Sequence, residues 1–145
     1  MTHIEPMLPS DYNEVVALWK ISTGISVDAS DSRDGILAYL ERNPLSSFVA
    51  REEGKLVGAV LGGHDGRRGY LHHLAVAPSH RKLGVGRLLA ESVLRALRRD
   101  GIIKCHLLVR TDNVEARDFW SHIGWTKRDD IVMMSHTIPT EAARE

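Results

Sequence analysis

The sequence predicts a mixed α/β (α+β) fold: a mostly antiparallel sheet holding a central parallel strand-helix-strand unit, with helices on its faces. Three observations carry that prediction. Apolar runs alternate with helical patterns in the order strand, two helices, three strands, helix, strand, helix, strand. The runs 47–51 and 56–61 are separated by Glu53-Gly54, a turn pair that closes an antiparallel hairpin. The strand from Tyr70, the long helix from Val85 and the apolar run from Ile102 form a unit whose crossover should be right-handed and whose strands should be parallel.

Each element has its own signal. Residues 4–8 read as a first strand, and Pro9-Ser10 opens a helix carrying Val15, Leu18 and Trp19 at helical spacing. Residues 23–32, rich in glycine, serine and aspartate, read as a mobile loop before a short helix with Ile36, Leu37 and Leu40 that stops near Asn43-Pro44. Gly62, Gly63, Gly66 and Gly69 mark a connection between the hairpin and the strand 70–76, which Pro78 ends. From Val85 the residues Leu88, Leu89, Val93, Ala96 and Leu97 form an apolar stripe, opposite a solvated face with Arg95, Arg98 and Arg99. Residues 102–109 read as a buried strand with Cys105 packed as a small hydrophobe. Asp112 or Asn113 caps a helix that ends at Gly124, and residues 131–138 read as a last strand.

The chain of 145 residues fits a single domain spanning 1–145. Nineteen basic residues balance nineteen acidic ones, so no net field draws it to nucleic acid or to an anionic membrane. One cysteine excludes an internal disulfide, no apolar stretch is long enough to span a bilayer, and residues 1–9 lack the features of a signal peptide. The expected location is the cytoplasm.

The chemistry points to residues 74–87. There a strand breaks at Pro78 and enters a helix through Gly84 and Gly86, so that backbone amides and the helix N-terminus can approach an anion, with Arg81, Lys82 and Arg87 adding charge. No Gly-Lys-Ser/Thr follows to make a P-loop, and Leu89 stands where a dinucleotide fingerprint has its third glycine. Arg81-x-x-Gly84-x-Gly86 after Leu74-x-Val76-x-Pro78 instead resembles the acetyl-CoA signature of the GNAT superfamily of N-acetyltransferases. Asn113, Ala116, Phe119-Trp120 and Gly124-Trp125 resemble that superfamily's closing pattern, and Gly62-Gly63-His64-Asp65-Gly66 is similar to small bacterial general or ribosomal-protein acetyltransferases.

The resemblance implies that amides of Leu83, Gly84, Val85, Gly86 and Arg87 hold the pyrophosphate of acetyl-CoA, with Arg81 and Lys82 beside them. Main-chain groups of Leu74 and Val76 would pair with the pantetheine arm, Asn113 would reach the same arm, and the thioester would lie where the strands from Tyr70 and Ile102 splay apart. Relatives often carry a glutamate base on the signature strand, where this chain offers His72, His73 and, less directly, Tyr70. Being adjacent on a strand, the two histidines should face opposite sides. Leu108 stands where ribosomal-protein relatives have a second glutamate. Trp120 replaces the tyrosine that protonates the departing sulfur; an indole donates a hydrogen bond but is no acid, so the resemblance leaves Trp120 a cofactor-binding place, its ring pressed against the cofactor or the helix after Asn113.

The function expected is direct transfer of an acetyl group to a primary amine of a small molecule, peptide or protein, in a ternary complex and without a metal. A non-catalytic acyl-CoA-binding module is the alternative, motivated by the missing tyrosine and glutamate. A nucleic-acid-binding domain built on Arg67, Arg68 and the arginine-rich helix is disfavoured by the neutral charge. The expected partners are acetyl-CoA and an amine acceptor, and a homodimer is compatible with them. Residues 23–32 and 127–131 should border the acceptor.

Overall fold

The computed structural model describes residues 1–140. Its contacts group into two compact units, a larger one over Met1–Asn113 and a smaller one beginning at Val114. The larger unit holds a five-stranded sheet in the order β1-β2-β3-β4-β5: β1 (His3–Pro6), β2 (Phe48–Glu52), β3 (Lys55–His64), β4 (Gly69–Val76) and β5 (Cys105–Leu107). The first three pairings are antiparallel and the last is parallel, as the hairpin and the crossover signals require. At the hairpin, Glu53 and Gly54 both take positive φ, 52° and 80°, the conformation a tight two-residue turn demands.

Two helices, α1 (Tyr12–Lys20) and α2 (Arg33–Arg42), pack on one face of the sheet. Val15, Leu18, Trp19 and Ile36 meet Val49, Ala59, Leu61 and Ala75 there in one buried cluster. On the other face, α3 (Val85–Arg99) lays Leu89, Val93 and Leu97, successive residues of an i, i+4 ridge, over Gly58, Gly62 and Gly69. A Cβ on Gly62 would stand 2.3 Å from the Ser46 carbonyl oxygen and 2.6 Å from Val93 Cγ1. These glycines are where a helix comes close to a strand. Arg95, Arg98 and Arg99 are exposed, as a solvated face should be.

Three expectations change, and segment 23–32 gains a local detail. Gly62 and Gly63 are not a connection: they lie within β3, paired with Leu71 and Tyr70, because close packing rather than turning is what their missing side chains serve. The strand expected over 102–109 shortens to three residues, with Ile103 and Leu108 exposed and Cys105 half-buried. The strand expected over 131–138 is absent among the described residues; Ile131, Val132, Met133, Met134 and Ile138 are exposed, and an apolar run without a partner makes no ladder. The segment 23–32, expected to be a mobile loop, ends in a 3₁₀ turn (Ala29–Asp31) capped by Asp28, whose carboxylate accepts from the Ser30 amide at 2.8 Å.

The smaller unit contains α4 (Val114–His122). Trp120 is buried in it between Phe119 and Trp125, whose rings stand edge-on at 4.9 and 5.2 Å.

Candidate active site

β4 is paired along both edges only at its start. Gly69, Tyr70 and Leu71 face Cys105, His106 and Leu107 of β5, and the Gly69 amide also donates to the Lys104 carbonyl at 2.9 Å. β5 ends at Leu107, opposite Leu71, while β4 runs on to Val76 with β3 alone as its partner, so one edge of β4 is unpaired beyond Leu71. Ala77 N–H donates to Val57 of β3 at 2.8 Å. Because successive residues of a strand point their amides to alternate edges, Val76 and Leu74 direct theirs to the open edge. Arg81 Nε reaches the Val76 carbonyl on that side at 3.3 Å.

The strand then turns at Pro78 into an exposed loop. Lys82 and Gly84 both have positive φ, 62° and 83°, and Gly84 is the N-cap of α3 with no side-chain cap. An α-helix leaves its first four amides without internal acceptors, so Val85, Gly86 and Arg87 open the helix with donors and the positive end of its dipole. Space around Gly84 is open, with nothing within 4 Å of a Cβ built there. Arg81, Lys82, Leu83 and Arg87 are exposed, and Arg87 also pairs with Glu91 at 3.0 Å. A fixed positive terminus thus follows directly on an open strand edge, the two features an acylated pantetheine diphosphate needs. Asn113 lies against the start of segment 23–32: a Cβ on Gly24 would come within 2.5 Å of its Nδ2.

The histidines contradict the alternation expected of a strand. Ala59 faces Ala75 and Leu61 faces His72, so two steps along β3 span three along β4. The extra residue makes a bulge, and His73 takes φ 53° in it. Both imidazoles consequently lie toward α1 and α2 instead of on opposite faces. His73 Nε2 stands 3.1 and 3.2 Å from the two carboxylate oxygens of Asp31, and its ring meets Trp19 edge-on at 4.9 Å. His72 lies parallel to Tyr70 at 6.1 Å between ring centroids and edge-on to Tyr39 at 6.5 Å, and Tyr70 in turn meets His106 of β5 at 5.9 Å. Sequence reasoning missed Tyr39 and His106, and it read Asp31 only as one of three loop carboxylates, with Asp28 and Asp34, that are either solvated or attract a cationic amine. Only the fold brings them here, and no spacing within the chain announces it.

Burial holds the His72 imidazole below its ordinary pKa, helped by the nearby His73 and opposed by Asp31, so the neutral form is favoured. Burial pushes the Tyr39 hydroxyl up to about 12 and the Cys105 thiol up to about 11. Both shifts favour the neutral form near neutrality, which argues against a Cys105 thiolate.

The comparisons agree with this geometry. Residues 12–125 match the family model described as Acetyltransferase (GNAT) family. The chain is 30% identical over 124 residues to an acetyltransferase of Yersinia enterocolitica, covering 86% of this chain and 87% of that one. It is 34% identical over 103 residues to an acetyltransferase of Pectobacterium atrosepticum, covering 71% and 72%. Among solved structures it is similar to Ard1 from Thermoplasma volcanium, with 26% identity, a TM-score of 0.76 and coverage of 86% and 82%. The PaiA N-acetyltransferase from Thermoplasma acidophilum in complex with coenzyme A shares the fold at a TM-score of 0.78 and 17% identity, with coverage of 89% and 92%. The chain belongs to the acetyltransferase (GNAT) family and is an N-acetyltransferase whose donor is acetyl-CoA.

Proposed function

We propose that the protein transfers the acetyl group of acetyl-CoA directly to a primary amine of a small molecule, peptide or protein, with His72 as the general base. The observation that carries this reading is the open half of β4, which joins the N-terminus of α3 at one end to His72 at the other. Leu74 and Val76 hold the pantetheine arm as a strand would. Leu83 to Arg87 hold the pyrophosphate through backbone amides, and Arg81 and Lys82 screen its charge. His72 is the first residue past the paired part of β4, so it sits where the open edge begins.

In that arrangement the amine nitrogen attacks the thioester carbonyl. The N–C bond forms, the C–S bond breaks, and the proton from nitrogen passes to neutral His72 directly or through one water. The sulfur leaves as thiolate, tolerable because thiols titrate near pH 8.5, and takes a proton from solvent. A half-buried Cys105 thiol held at about 11 favours this direct route over an acetyl-cysteine intermediate. Trp120, packed between two aromatic rings, serves structure rather than proton transfer. Tyr70 supports the His72 ring by stacking.

No helix among the described residues is long and apolar enough to cross a membrane, and the acceptor is taken to be a water-soluble amine. The test is consumption of acetyl-CoA with spermidine, an aminoglycoside, free lysine and a peptide with a free N-terminus. Turnover with one of them supports the proposal. CoA binding with no turnover on a wide amine panel favours the acyl-CoA-binding module.

A further inference from the structure

His73 is a non-glycine residue in the left-handed region, at φ 53°, in the middle of a sheet strand. Such a conformation is strained and persists only where its surroundings over-determine it. Asparagine, aspartate and histidine accept it more readily than other side chains. The surroundings here converge on one residue. Asp31 is buried, 6% exposed, although it closes a segment that is otherwise mostly open to solvent. Its carboxylate meets His73 Nε2 through both oxygens, and one of those oxygens also accepts the Asp28 amide at 3.2 Å. Its main-chain carbonyl accepts the Tyr12 hydroxyl at 2.7 Å. One carboxylate therefore joins the start of α1, the 3₁₀ turn before α2 and the bulge of β4.

We infer that Asp31 is a positioning residue: by gripping the His73 ring it holds the left-handed bulge of β4, and thereby sets His72 on the acceptor side in register with segment 23–31. The inference rests on the reading of His72 as base. Without the extra residue of the bulge, strand alternation would leave only one of the two imidazoles on the α1 and α2 side. His73 on this account holds a shape and moves no proton. Glutamine at 73 should then substitute for it, since its side-chain amide N–H reaches the place of the imidazole Nε2 and can donate to Asp31.

The experiment compares Asp31→Ala, His73→Ala and His73→Gln by three readouts: the backbone couplings at residue 73 and the His72 to Tyr39 ring contact by NMR, CoA affinity by calorimetry, and turnover on the amines named above. His73→Ala removes the contact without touching the 3₁₀ turn, so the test stands even where Asp31→Ala fails to fold. Both alanine variants are expected to lose the His72 to Tyr39 contact, keep CoA affinity, and lower kcat by about 10²-fold, as misplaced catalytic groups do, with the acetyl-CoA KM unchanged. His73→Gln is expected to retain the left-handed couplings, the ring contact and most of kcat. Retention of the ring contact in His73→Ala overturns the inference, as does His73→Gln losing turnover as fully as His73→Ala, which would make the imidazole itself the working group. The NMR arm decides independently of the base: full turnover in His72→Ala would sink the His72 assignment while leaving the grip of Asp31 on the bulge to be read directly.

Discussion

The two halves of β4 carry the same kind of sequence and meet opposite fates. From Gly69 to Leu71 the strand is bonded on both edges and pressed by Leu97 of α3, so every backbone group there is used by the fold. From His72 to Val76 it keeps one partner, bulges at a left-handed histidine and turns one edge outward. An exposed strand edge without a partner is a liability in most proteins. In an enzyme whose donor substrate carries an amide-rich arm, the same edge is a binding surface, since a ligand that supplies strand-like groups completes the ladder. The difference separates residues that make the sheet from residues that make the site.

Changes in the open half should therefore cost activity, and changes in the paired half should cost stability. The largest effect is expected for His72→Ala: a loss of roughly 10²–10⁴ in the chemical step, as for removal of a general base, with CoA affinity intact by calorimetry. The wild-type pH profile bears on the same residue. A histidine whose folded pKa is lowered stays neutral, and so basic, to lower pH, and its activity is lost as pH falls through that lowered value. The acid limb of kcat/KM should accordingly lie below about 6.5, the usual imidazole midpoint, and a limb above it would assign the proton elsewhere.

Gly84→Val comes next. The site has room for a side chain, but φ is 83° and a β-branched residue is a poor fit to the left-handed region. Strain of about 1–3 kcal/mol is relieved by twisting the loop away from its anion-holding shape. We expect CoA affinity to fall about tenfold or more, since each 1.4 kcal/mol is a factor of ten. Unchanged affinity in a titration would move the pyrophosphate elsewhere. Gly62 of β3 is paired with Leu71 of the paired half; Gly62→Ala places a Cβ against the Ser46 carbonyl and Val93, and overpacking of this kind costs about 1–3 kcal/mol. Urea unfolding should show that loss while kcat of the folded protein holds; a kcat defect without a stability defect would break the division between the halves. The smallest effect is expected for Trp120→Phe, which keeps aromatic bulk beside Phe119 and Trp125. Pre-steady-state rates should stay within roughly tenfold of wild type, less than loss of a proton donor gives; a hundredfold loss would make the indole N–H essential.

What could be read in advance follows the same boundary. The hairpin, the crossover and the helix from Val85 were legible because turn pairs and apolar spacing act locally: Glu53-Gly54 closes the hairpin, and the ridge Leu89, Val93, Leu97 faces the sheet. The donor loop was legible because Gly84 and Gly86 sit at a strand-to-helix junction. His73 was misplaced because histidine does not announce positive φ in a strand, and strict alternation was the better local guess. Asp31 lies 42 residues from the ring it grips, and nothing in the acidic run Asp28, Asp31, Asp34 marks the middle carboxylate as the buried one. Gly62 and Gly63 misled because glycine signals close approach as well as turning.

The central claim, that the open half of β4 is the donor edge, is tested most directly by amide hydrogen exchange on the unmodified protein with and without CoA. The account predicts that the Leu74 and Val76 amides, directed to the open edge, become protected when CoA binds, together with amides from Gly84 to Arg87. Leu71, already bonded within the sheet, should change little. Protection confined to the α3 N-terminus, with Leu74 and Val76 exchanging as before, would contradict the account.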